Sequence, residues 1–467
     1  MTDEHLQLTA HLLRRAGAGG SRDELEAAAS RTYAELVEDL LHPGRFPDLD
    51  DDVLFRYFPA LVNADTPHVW SSRWIWRMTN SERPLEEKMA LFWHHVFATG
   101  WFKSEHTSTM VAQIEMLRQE GLGNLRTILL KLSRDPAMIF WLDNSESHAA
   151  APNENYGREL LELFSMGLGN YTETDVKMAG RAFTGWTFQQ PIPLYPYGLY
   201  PAQFLYRPDD HDDSEKTFLG HTGQLNGEDI IDIIVKQEAT ARFIARHLYN
   251  FFVADEPQVS AWSVIPPQDP AAIDALSEAF LSSDGDLRTV MRVLFNSDFF
   301  KAARFKRVKC PAEFIAGVLK LAGTMRKPEP ALAGVGIQTQ IMGQALFDAP
   351  SVEGWHTGKE WIDGGTLTDR VNFAVSQVRD PSKPGVQAIV RRLGANGSPV
   401  TPSEFVRRCL ELAGPVEAAA DTRAILEESA RASGDLCFEN EEATQESGRR
   451  IARMLSLIVA APEYQFA

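Results

Sequence analysis

The sequence predicts an all-α protein: a large helical domain interrupted by a long loop region rich in proline and aromatic residues. Apolar residues recur at helical spacing along most of the chain, as in ATARFIARHLYNFFV (239–253). Five prolines between residues 191 and 208 break this pattern, because a helix cannot run through them. We expect residues 186–227 to form an ordered loop or a few short strands, since the segment also carries many aromatic side chains.

Before this break, helical patterns follow one another closely. Ser21 and Glu24 have the spacing of a capping box. The glycines at 17–20 also allow a phosphate-loop interpretation, but a predicted helix precedes them where such loops follow a strand. Asp135-Pro136 predicts the start of a short helix. The other predicted helices cover residues 6–15, 31–42, 67–80, 84–98, 107–119, 122–134, 153–167 and 172–184.

After the break, helices are predicted at 237–253, 270–283, 286–295 and 310–323 and again beyond a Gly- and Pro-marked stretch at 347–365. The chain has 467 residues, a length that suits one large domain or two. We expect a single unit over 1–467. The alternative is a helical half at 1–185, an irregular insertion at 186–227 and a second helical half at 228–467.

The composition disfavours several classes of partner. The formal net charge is −18, and such a surface repels nucleic acid and anionic membrane. No segment approaches the roughly 18 apolar residues of a membrane span. The start of the chain lacks the pattern of a signal peptide, so we expect a cytoplasmic protein. The three cysteines form no CxxC pair of the metal-binding or redox type.

Several segments together resemble one bacterial family. They are EKMALFWHHVFATG (87–100), DPAMIFWLDN (135–144), APNENYGRELLELFSMGLGNYTETDVKMAGRAFTGW (151–186), HDDSEKTFLG (211–220), ATARFIARHLYNFFV (239–253) and GWHTGKEWI (354–362). The family is Domain of Unknown Function family 1800, and NENYxRELLELF is its most specific signature.

The resemblance implies no reaction. Members are often encoded beside a sulfatase-like protein, which suggests such a partner. Many members carry a secretion signal that this sequence lacks. Many also have a second His two residues after the position matching His94, where this chain has Val96. A His-x-His metal site inferred for those relatives would not carry over.

The polar face of the predicted helix 153–167 is one candidate site. Three carboxylates and one arginine fall within an arc of roughly 140° at 100° per residue. They could bind a cation or serve as acid and base with separated pKa values. Alternatively, they form a solvated face with i,i+4 ion pairs from Glu154 to Arg158 and from Arg158 to Glu162. The residues of this arc are Glu154, Asn155, Arg158, Glu159 and Glu162.

Two other places offer histidine and carboxylate side chains. His94 lies on the polar side of the predicted helix 84–98, as a ligand or general base or as a satisfied surface histidine. The loop HDDSEK (211–216) combines His211, Asp212, Asp213 and Lys216. Such loops suit divalent cations, and they also suit turn and helix-cap roles.

Aromatic residues mark a third possibility. Trp186, Trp355 and Trp361 could stack on a ring-shaped ligand such as a sugar, or simply pack their loops. Glu353-Gly-Trp-His356 matches an E-x-x-H string, but Gly354 and Gly358 argue against the helix that a di-iron site needs.

These residues support three hypotheses. The favoured one is an enzyme, a hydrolase or lyase with a carboxylate and histidine cleft, and the chemistry is open between a form with a divalent metal ion and one without it. The alternatives are a helical partner or maturation factor for a sulfatase-like protein, and a binding protein for a small molecule or glycan. HExxH, GxSxG and Walker motifs are absent. The predicted catalytic residues are His94, Glu154, Arg158, Glu159, His211 and Asp212. The predicted ligand-binding residues are Asn153, Asn155, Trp186, Lys216, Trp355, His356 and Trp361. The candidates for metal ligands are Glu159, Glu162, His211 and Asp213.

Overall fold

The computed structural model describes residues 3–59, 65–190, 200–257, 262 and 265–467, and their architecture is mainly helical. These ranges contain twenty-four α-helices and two small two-stranded sheets. The predicted fold class is confirmed. The longest helix has 20 residues, and no helix in the described ranges is long and apolar enough to cross a bilayer.

The helices before the irregular region are α1 (Asp3–Ala16), α2 (Arg22–Ala29), α3 (Tyr33–Leu41), α4 (Asp51–Tyr57), α5 (Pro67–Asn80), α6 (Pro84–Val96), α7 (Trp101–Ser104), α8 (Thr107–Glu120), α9 (Leu125–Ser133), α10 (Pro136–Trp141), α11 (Asn155–Glu162) and α12 (Glu173–Ala182). Those after it are α13 (Gly227–Ile234), α14 (Glu238–Phe252), α15 (Pro270–Ser282), α16 (Leu287–Asn296), α17 (Asp298–Lys301), α18 (Pro311–Ala322), α19 (Val335–Ile341), α20 (Gly364–Val378), α21 (Pro384–Gly394), α22 (Pro402–Leu412), α23 (Ala420–Arg431) and α24 (Glu441–Ala460).

Local signals explain where many of these helices begin. The capping box predicted before α2 is present: the Glu24 N–H donates to Ser21 Oγ at 3.3 Å, and the Ser21 N–H donates to Glu24 Oε2 at 2.7 Å. These bonds satisfy donors that a helix start otherwise leaves unpaired. Proline occupies the first turn of several other helices, among them α5, α6, α10, α15 and α18, where its missing N–H costs nothing.

The signature helix α11 is shorter than the sequence predicts. The prediction covers 153–167, but the helix ends at Glu162. Beyond it the chain tightens: the Phe164 N–H donates to the Glu159 carbonyl and the Gly167 N–H to the Leu161 carbonyl. Gly167 has a φ of +77°, a left-handed conformation that glycine adopts at little cost and that commonly ends helices.

The irregular region contains short strands, as one of the two sequence-based alternatives proposed. Strand β1 (Trp186–Gln189) pairs antiparallel with β2 (Gln203–Tyr206), and β3 (Lys216–Phe218) pairs with β4 (His221–Gly223). Residues 191–199, which hold three of the prolines, lie outside the described residues. The described part of the region therefore forms two antiparallel strand pairs, and β1 packs against α10 and β3 against α12.

The buried apolar side chains of the described residues form one main cluster, which runs from Leu12 to Tyr464. Helix α1 is held in place by distant parts of the chain. On α1, His11 Nε2 hydrogen-bonds the Phe300 carbonyl at 2.9 Å, and Arg14 Nη1 donates to the Gly414 carbonyl at 2.6 Å.

Helix α6 is buried around almost its whole circumference. Its apolar residues and three of its polar ones, Glu87, Lys88 and His94, are at most 4% exposed. Buried charges of this kind require partners. The Arg77 Nε donates to Glu87 Oε1 at 2.7 Å and the Arg118 Nε donates to Glu87 Oε2 at 3.0 Å. This carboxylate therefore joins α6 to α5 and α8.

We expect Glu87→Gln to destabilise the fold strongly, because two buried guanidinium groups lose their shared negative partner. The expected loss in the free energy of unfolding is about 3–5 kcal/mol, the range for breaking a buried ion pair. Urea unfolding followed by circular dichroism measures it. Glu86→Gln, at the neighbouring and more exposed position of α6, is the matched control. A loss as small as the control's would contradict the structural role of Glu87.

Candidate active site

The signature segment begins with two asparagines that fasten α11 to the end of α10. The Asn153 Nδ2 donates to the Asp143 carbonyl at 3.2 Å, and the Asn155 Nδ2 donates to the Leu142 carbonyl at 3.1 Å. The Asn155 N–H also donates to Asn153 Oδ1 at 2.9 Å. Both amides therefore hold backbone in place, and their ligand-binding role stays a prediction.

A close helix crossing fixes the direction in which α11 presents its side chains. A Cβ added at Gly157 would lie 2.9 Å from the Gly180 nitrogen on α12, and one at Gly180 would lie 2.9 Å from the Asn153 carbonyl. Larger residues would force the helices apart. Beside this crossing Tyr156 is 2% exposed, and its hydroxyl lies 2.5 Å from Ser133 Oγ. The helix is thus locked in rotation.

The polar face of α11 divides into two groups, and the first lies at the surface. Arg158 donates to both carboxylate oxygens of Glu173, at 2.9 and 2.7 Å, and lies 3.9 Å from Glu154. These side chains are one third or more exposed, so the pairs contribute about 1 kcal/mol at most. The geometry matches the ion-pair alternative for Glu154 and Arg158, although the partner of Arg158 is Glu173 and not Glu162.

The second group, Glu159 and Glu162, is partly buried. The two lie one turn apart, so they are neighbours on the helix surface. The Tyr171 hydroxyl donates to Glu162 Oε2 at 2.7 Å. Burial raises the pKa of Glu159 to about 7, with further upward effects from Glu162 and Glu353 and an opposing one from Arg158. Glu159 therefore changes protonation state near neutral pH, where an ordinary glutamate is fully ionised.

The segment around Glu353 reaches this place because a glycine lets it lie against the end of α6. Gly354 has a φ of +81°, and a Cβ there would lie 2.6 Å from the His95 carbonyl oxygen. The next side chain, Trp355, is 6% exposed and stacks on the His95 ring at 6.3 Å between centroids. Gly354 and Trp355 together hold Glu353 within electrostatic reach of Glu159.

Two histidines complete the surroundings. Burial and Arg307 lower the pKa of His95 to about 4. Burial, His95 and Arg246 lower the pKa of His247, on α14, to about 3. Both imidazoles are therefore neutral at physiological pH, each with one donor and one acceptor nitrogen. Phe243 links α14 to the end of α11, because its ring lies 4.3 Å from that of His247 and against Gly167.

We call Glu159, Glu162, Glu353, His95 and His247 the carboxylate–histidine cluster. Sequence reasoning found Glu159 and Glu162, but it favoured His94 over His95 and did not select Glu353 or His247. Glu353 belongs to the E-x-x-H string, which the sequence analysis considered only as a di-iron site. The absence of a helix argues against that kind of site but not against another role for Glu353. Nothing in the local sequence brings His247 to the same place.

His94 itself is fully buried and has a different set of contacts. Its Nε2 accepts the Phe347 N–H at 3.0 Å, and its ring lies 5.1 Å from that of Trp355 and 5.8 Å from that of Trp74. Burial and His95 lower its pKa to about 3. His94 thus holds the segment that leads to Glu353, and its predicted catalytic role stays a prediction.

The 211–216 segment is organised by other neighbours. His211 Nδ1 hydrogen-bonds the Thr184 carbonyl at 2.9 Å, and the Arg181 Nε donates to Asp212 Oδ2 at 2.7 Å. Burial opposes ionisation of Asp212, but the bonds from Arg181 and Ser214 prevail and hold its pKa below the usual range. No hydrogen bond or ion pair in the described part of the chain joins this segment to Glu159.

The rest of that segment serves the local turn. The Lys216 ammonium, 1% exposed, donates to the carbonyls of Asp212 and Ser214, and burial lowers its pKa. Asp213 is 82% exposed and lies 3.9 Å from His211 Nε2. These contacts resemble the turn-forming alternative, and the binding and catalytic roles predicted for the segment stay predictions.

The three tryptophans predicted to bind a ligand are buried and packed. Trp186 is 2% exposed; its ring lies 5.2 Å from that of Phe183, and its Nε1 donates to Asn226 Oδ1. Trp361 is 5% exposed. His356 is 74% exposed at the side chain and 3.3 Å from Glu360. Of the predicted ligand-binding set, Trp355 is the one whose contacts place it beside the cluster.

Of the metal candidates, Glu159 and Glu162 lie on α11 and His211 and Asp213 lie beside α12, and their metal-binding role stays a prediction. Within the described ranges, no group of three or more His, Cys, Asp or Glu side chains is arranged to hold a metal ion. At Glu159, burial first and then the charges of Glu162 and Glu353 favour the protonated form, and they raise its pKa to about 7.

A family model described as "Protein of unknown function (DUF1800)" matches residues 11–466, almost the entire chain. The chain belongs to the DUF1800 family. No curated protein and no solved structure matches it. The resemblance drawn from the signature segment is therefore confirmed, and the reaction of this DUF1800 protein has to be argued from its own side chains.

The raised pKa of Glu159 predicts a pH-dependent effect of Glu159→Gln on stability. An ordinary glutamate titrates at 4.5 and Glu159 in the fold at about 7. Below pH 4.5 Glu159 is protonated in both the folded and the unfolded chain. Its ionisation then makes little difference between the stabilities of wild type and Glu159→Gln. As the pH rises from 4.5 to 7 the unfolded chain ionises first, so wild type loses stability relative to the variant. The difference then stays constant at about 1–2 kcal/mol, after allowance for the partial exposure of Glu159.

Urea unfolding at pH 5, 6, 7 and 8 measures this difference. Glu154→Gln, at a surface position of the same segment, is the control and should show no such trend. Glu353→Gln should reduce the pH dependence by lowering the pKa of Glu159. A pH-independent difference between wild type and Glu159→Gln would show that Glu159 titrates normally and that the cluster does not assemble.

Proposed function

We propose that this DUF1800 protein is an enzyme, a hydrolase or lyase, in which Glu159 is the general acid and base. The observation that carries the proposal is the pKa of Glu159, raised to about 7 by burial and by two further carboxylates, one of them from a distant segment. A catalytic acid–base group works best when its pKa lies near the operating pH. Strongly shifted pKa values are concentrated at functional sites.

The neighbouring residues support distinct roles in that chemistry. In the hydrolytic form of the proposal, protonated Glu159 gives its proton to the leaving group as the bond breaks. Water supplies a hydroxyl to the other fragment and its remaining proton returns to Glu159, so the enzyme is restored. The neutral imidazoles of His95 and His247 offer hydrogen bonds to a polar substrate, and the Tyr171 hydroxyl orients Glu162.

The charge of the cluster limits the substrate class. Three carboxylates lie within electrostatic reach of one another, and an anionic substrate would raise the cost of this crowding. A neutral or cationic substrate would lower it. We therefore propose a neutral or cationic substrate that carries hydrogen-bonding groups, a class that includes neutral glycans.

The partner hypothesis, assistance to a sulfatase-like protein, needs a docking surface. A large exposed apolar patch would mark one. The large apolar side chains that are exposed in the described ranges come from separate elements, with pairs at Val53 and Tyr57 on α4 and at Ile337 and Ile341 on α19. This distribution gives the partner hypothesis no specific support.

A substrate screen with matched variants tests the enzyme proposal. Chromogenic and natural substrates for hydrolases and lyases, neutral and cationic ones first, are assayed at pH 5 to 9. We expect Glu159→Gln to lower kcat/KM on any substrate that wild type turns over by about 10²–10⁴-fold, the usual contribution of a general acid–base group. The pH profile of wild type should show a titration near 7 that the variant lacks.

Glu154→Gln again serves as the control and should retain wild-type turnover, since its side chain belongs to the surface ion pairs. Turnover by Glu159→Gln equal to that of wild type, or no turnover of any substrate by folded wild type, would overturn the proposal.

Metal content is a separate prediction. Because a proton relieves the crowding of the carboxylates, we expect elemental mass spectrometry to find no stoichiometric divalent metal that depends on Glu159. The measurement compares tag-free wild type with Glu159→Ala and His211→Ala. About one equivalent of metal in wild type that is lost in Glu159→Ala would replace the acid–base proposal with a metal-dependent one. Loss in His211→Ala as well would add the 211–216 segment to the site.

A further inference from the structure

A second polar region lies near the other end of α6, in a pocket between α1, α18 and the last residues of the chain. Gly19 and Gly20 of the glycine run after α1 form part of its wall, and Gly17 of the same run packs tightly on Pro84 at the start of α6. The pocket wall is otherwise mostly apolar. Its polar and charged lining residues include Arg14, Lys309, Glu313, Glu463 and Tyr464.

The two cations of the wall direct their hydrogen bonds to neutral carbonyl groups, although the charge of Glu417 also acts on Arg14. Arg14 Nη1 donates to the Gly414 carbonyl at 2.6 Å, while its buried Nε has no hydrogen-bond partner in the described structure. The Lys309 Nζ donates to the Tyr464 carbonyl at 2.7 Å and lies 4.1 Å from the centre of the Tyr464 ring. Neither forms an ion pair with a carboxylate in the described ranges.

The one carboxylate deep in this wall is already occupied. Glu313 accepts two bonds at 2.8 Å from Arg307 Nη1 and one from the Cys310 N–H, and it also pairs with Lys88 of α6. Two cations thus share one anion. Glu313 has no negative charge left over for Arg14 or Lys309.

Further unpaired cations lie behind the wall. Arg15 and Arg370 are both fully buried. Arg15 donates through Nη2 to two backbone carbonyls, at 2.8 and 3.0 Å, but its Nε and Nη1 have no partner among the described residues. The Nη1 of Arg370 is likewise without one. The neighbourhood therefore holds more buried positive charge than its own carboxylates balance.

This imbalance carries an energetic cost. Burial lowers the pKa of Lys309 well below its usual range, and Arg14, Arg370 and Arg15 add to the effect. Burial likewise lowers the pKa of Arg14 to about 10. A lysine can shed its proton to escape such surroundings, but a guanidinium group stays charged. A bound anion would compensate the arginines and restore the charge of Lys309.

We propose that this pocket binds an oxyanion, the phosphate or carboxylate group of a small ligand, between Arg14 and Lys309. Arginine and lysine are the usual partners of such groups, with charge-assisted hydrogen bonds. The site is separate from the carboxylate–histidine cluster, and the proposal does not depend on Glu159. The glycine run at 17–20 allowed a phosphate-loop interpretation of the sequence. It contributes to the wall of this pocket, although a helix precedes it.

Thermal melting and calorimetric titration of the full chain test this site with three probes: inorganic phosphate, glycerol 3-phosphate and acetate, all at constant ionic strength set with sodium chloride. We expect a saturable rise in the melting temperature with at least one probe. Tighter binding of glycerol 3-phosphate than of phosphate would identify a phosphate ester, and preference for acetate a carboxylate. No saturable rise with any probe would overturn the proposal.

Variants locate the bound anion. Arg14→Gln and Lys309→Gln should each weaken the affinity about tenfold, the loss expected for one hydrogen bond to a charged group. Arg407→Gln, which removes an arginine that is 51% exposed on α22, should bind as wild type does. Undiminished affinity in Arg14→Gln and Lys309→Gln would overturn the proposal.

If those variants fail to fold, a labelling experiment on wild type tests the same binding site. Acetylation of the Lys309 amine, followed by peptide mass spectrometry, should become slower at saturating ligand, while acetylation of the exposed Lys306 should not change. Equal acetylation of Lys309 with and without ligand would contradict binding at this place.

Discussion

The burial of α6 is the constraint on which the rest of the structure depends. A helix buried on all sides must supply partners for every polar side chain it carries. Glu87 finds them in Arg77 and Arg118, and Lys88 finds one in Glu313. These contacts fix the positions of α5, α8 and α18 around α6. Both ends of the helix then lie beside a polar region, the oxyanion pocket near its start and the carboxylate–histidine cluster at its end.

The two polar regions present opposite electrostatic problems. In the cluster, Glu162 and Glu353 both act on the partly buried Glu159, and together with burial they favour its protonated form. In the pocket, cations outnumber carboxylates, and arginine cannot release its proton. A carboxylate can neutralise an excess of negative charge by taking up a proton, and such a group suits proton transfer. An arginine cannot neutralise an excess of positive charge by releasing its proton, so that excess suits the binding of an external anion. The pocket thus concentrates positive charge in a chain whose net charge is −18.

The signature segment shows how one short sequence performs several separate tasks. Asn153 and Asn155 hold the preceding turn, and Gly157 permits the close crossing with α12. Arg158 pairs at the surface with Glu173, and Glu159 enters the cluster. A helical wheel places these polar residues on one face, but it cannot separate them. The crossing at Gly157 turns one part of that face to solvent and the other part to the protein.

The sequence by itself determined the fold class, the capping box before α2 and the proline-marked start of α10, and it gave short strands as one of two alternatives for the irregular region. These features depend on backbone chemistry within a few residues, so local patterns are enough to specify them. Only the tertiary structure brought Glu353 within electrostatic reach of Glu159, His95 within reach of His247, and Arg14 within reach of Lys309. The raised pKa of Glu159 and the unpaired arginines arise from burial and from neighbours hundreds of residues apart, and no local pattern encodes either one.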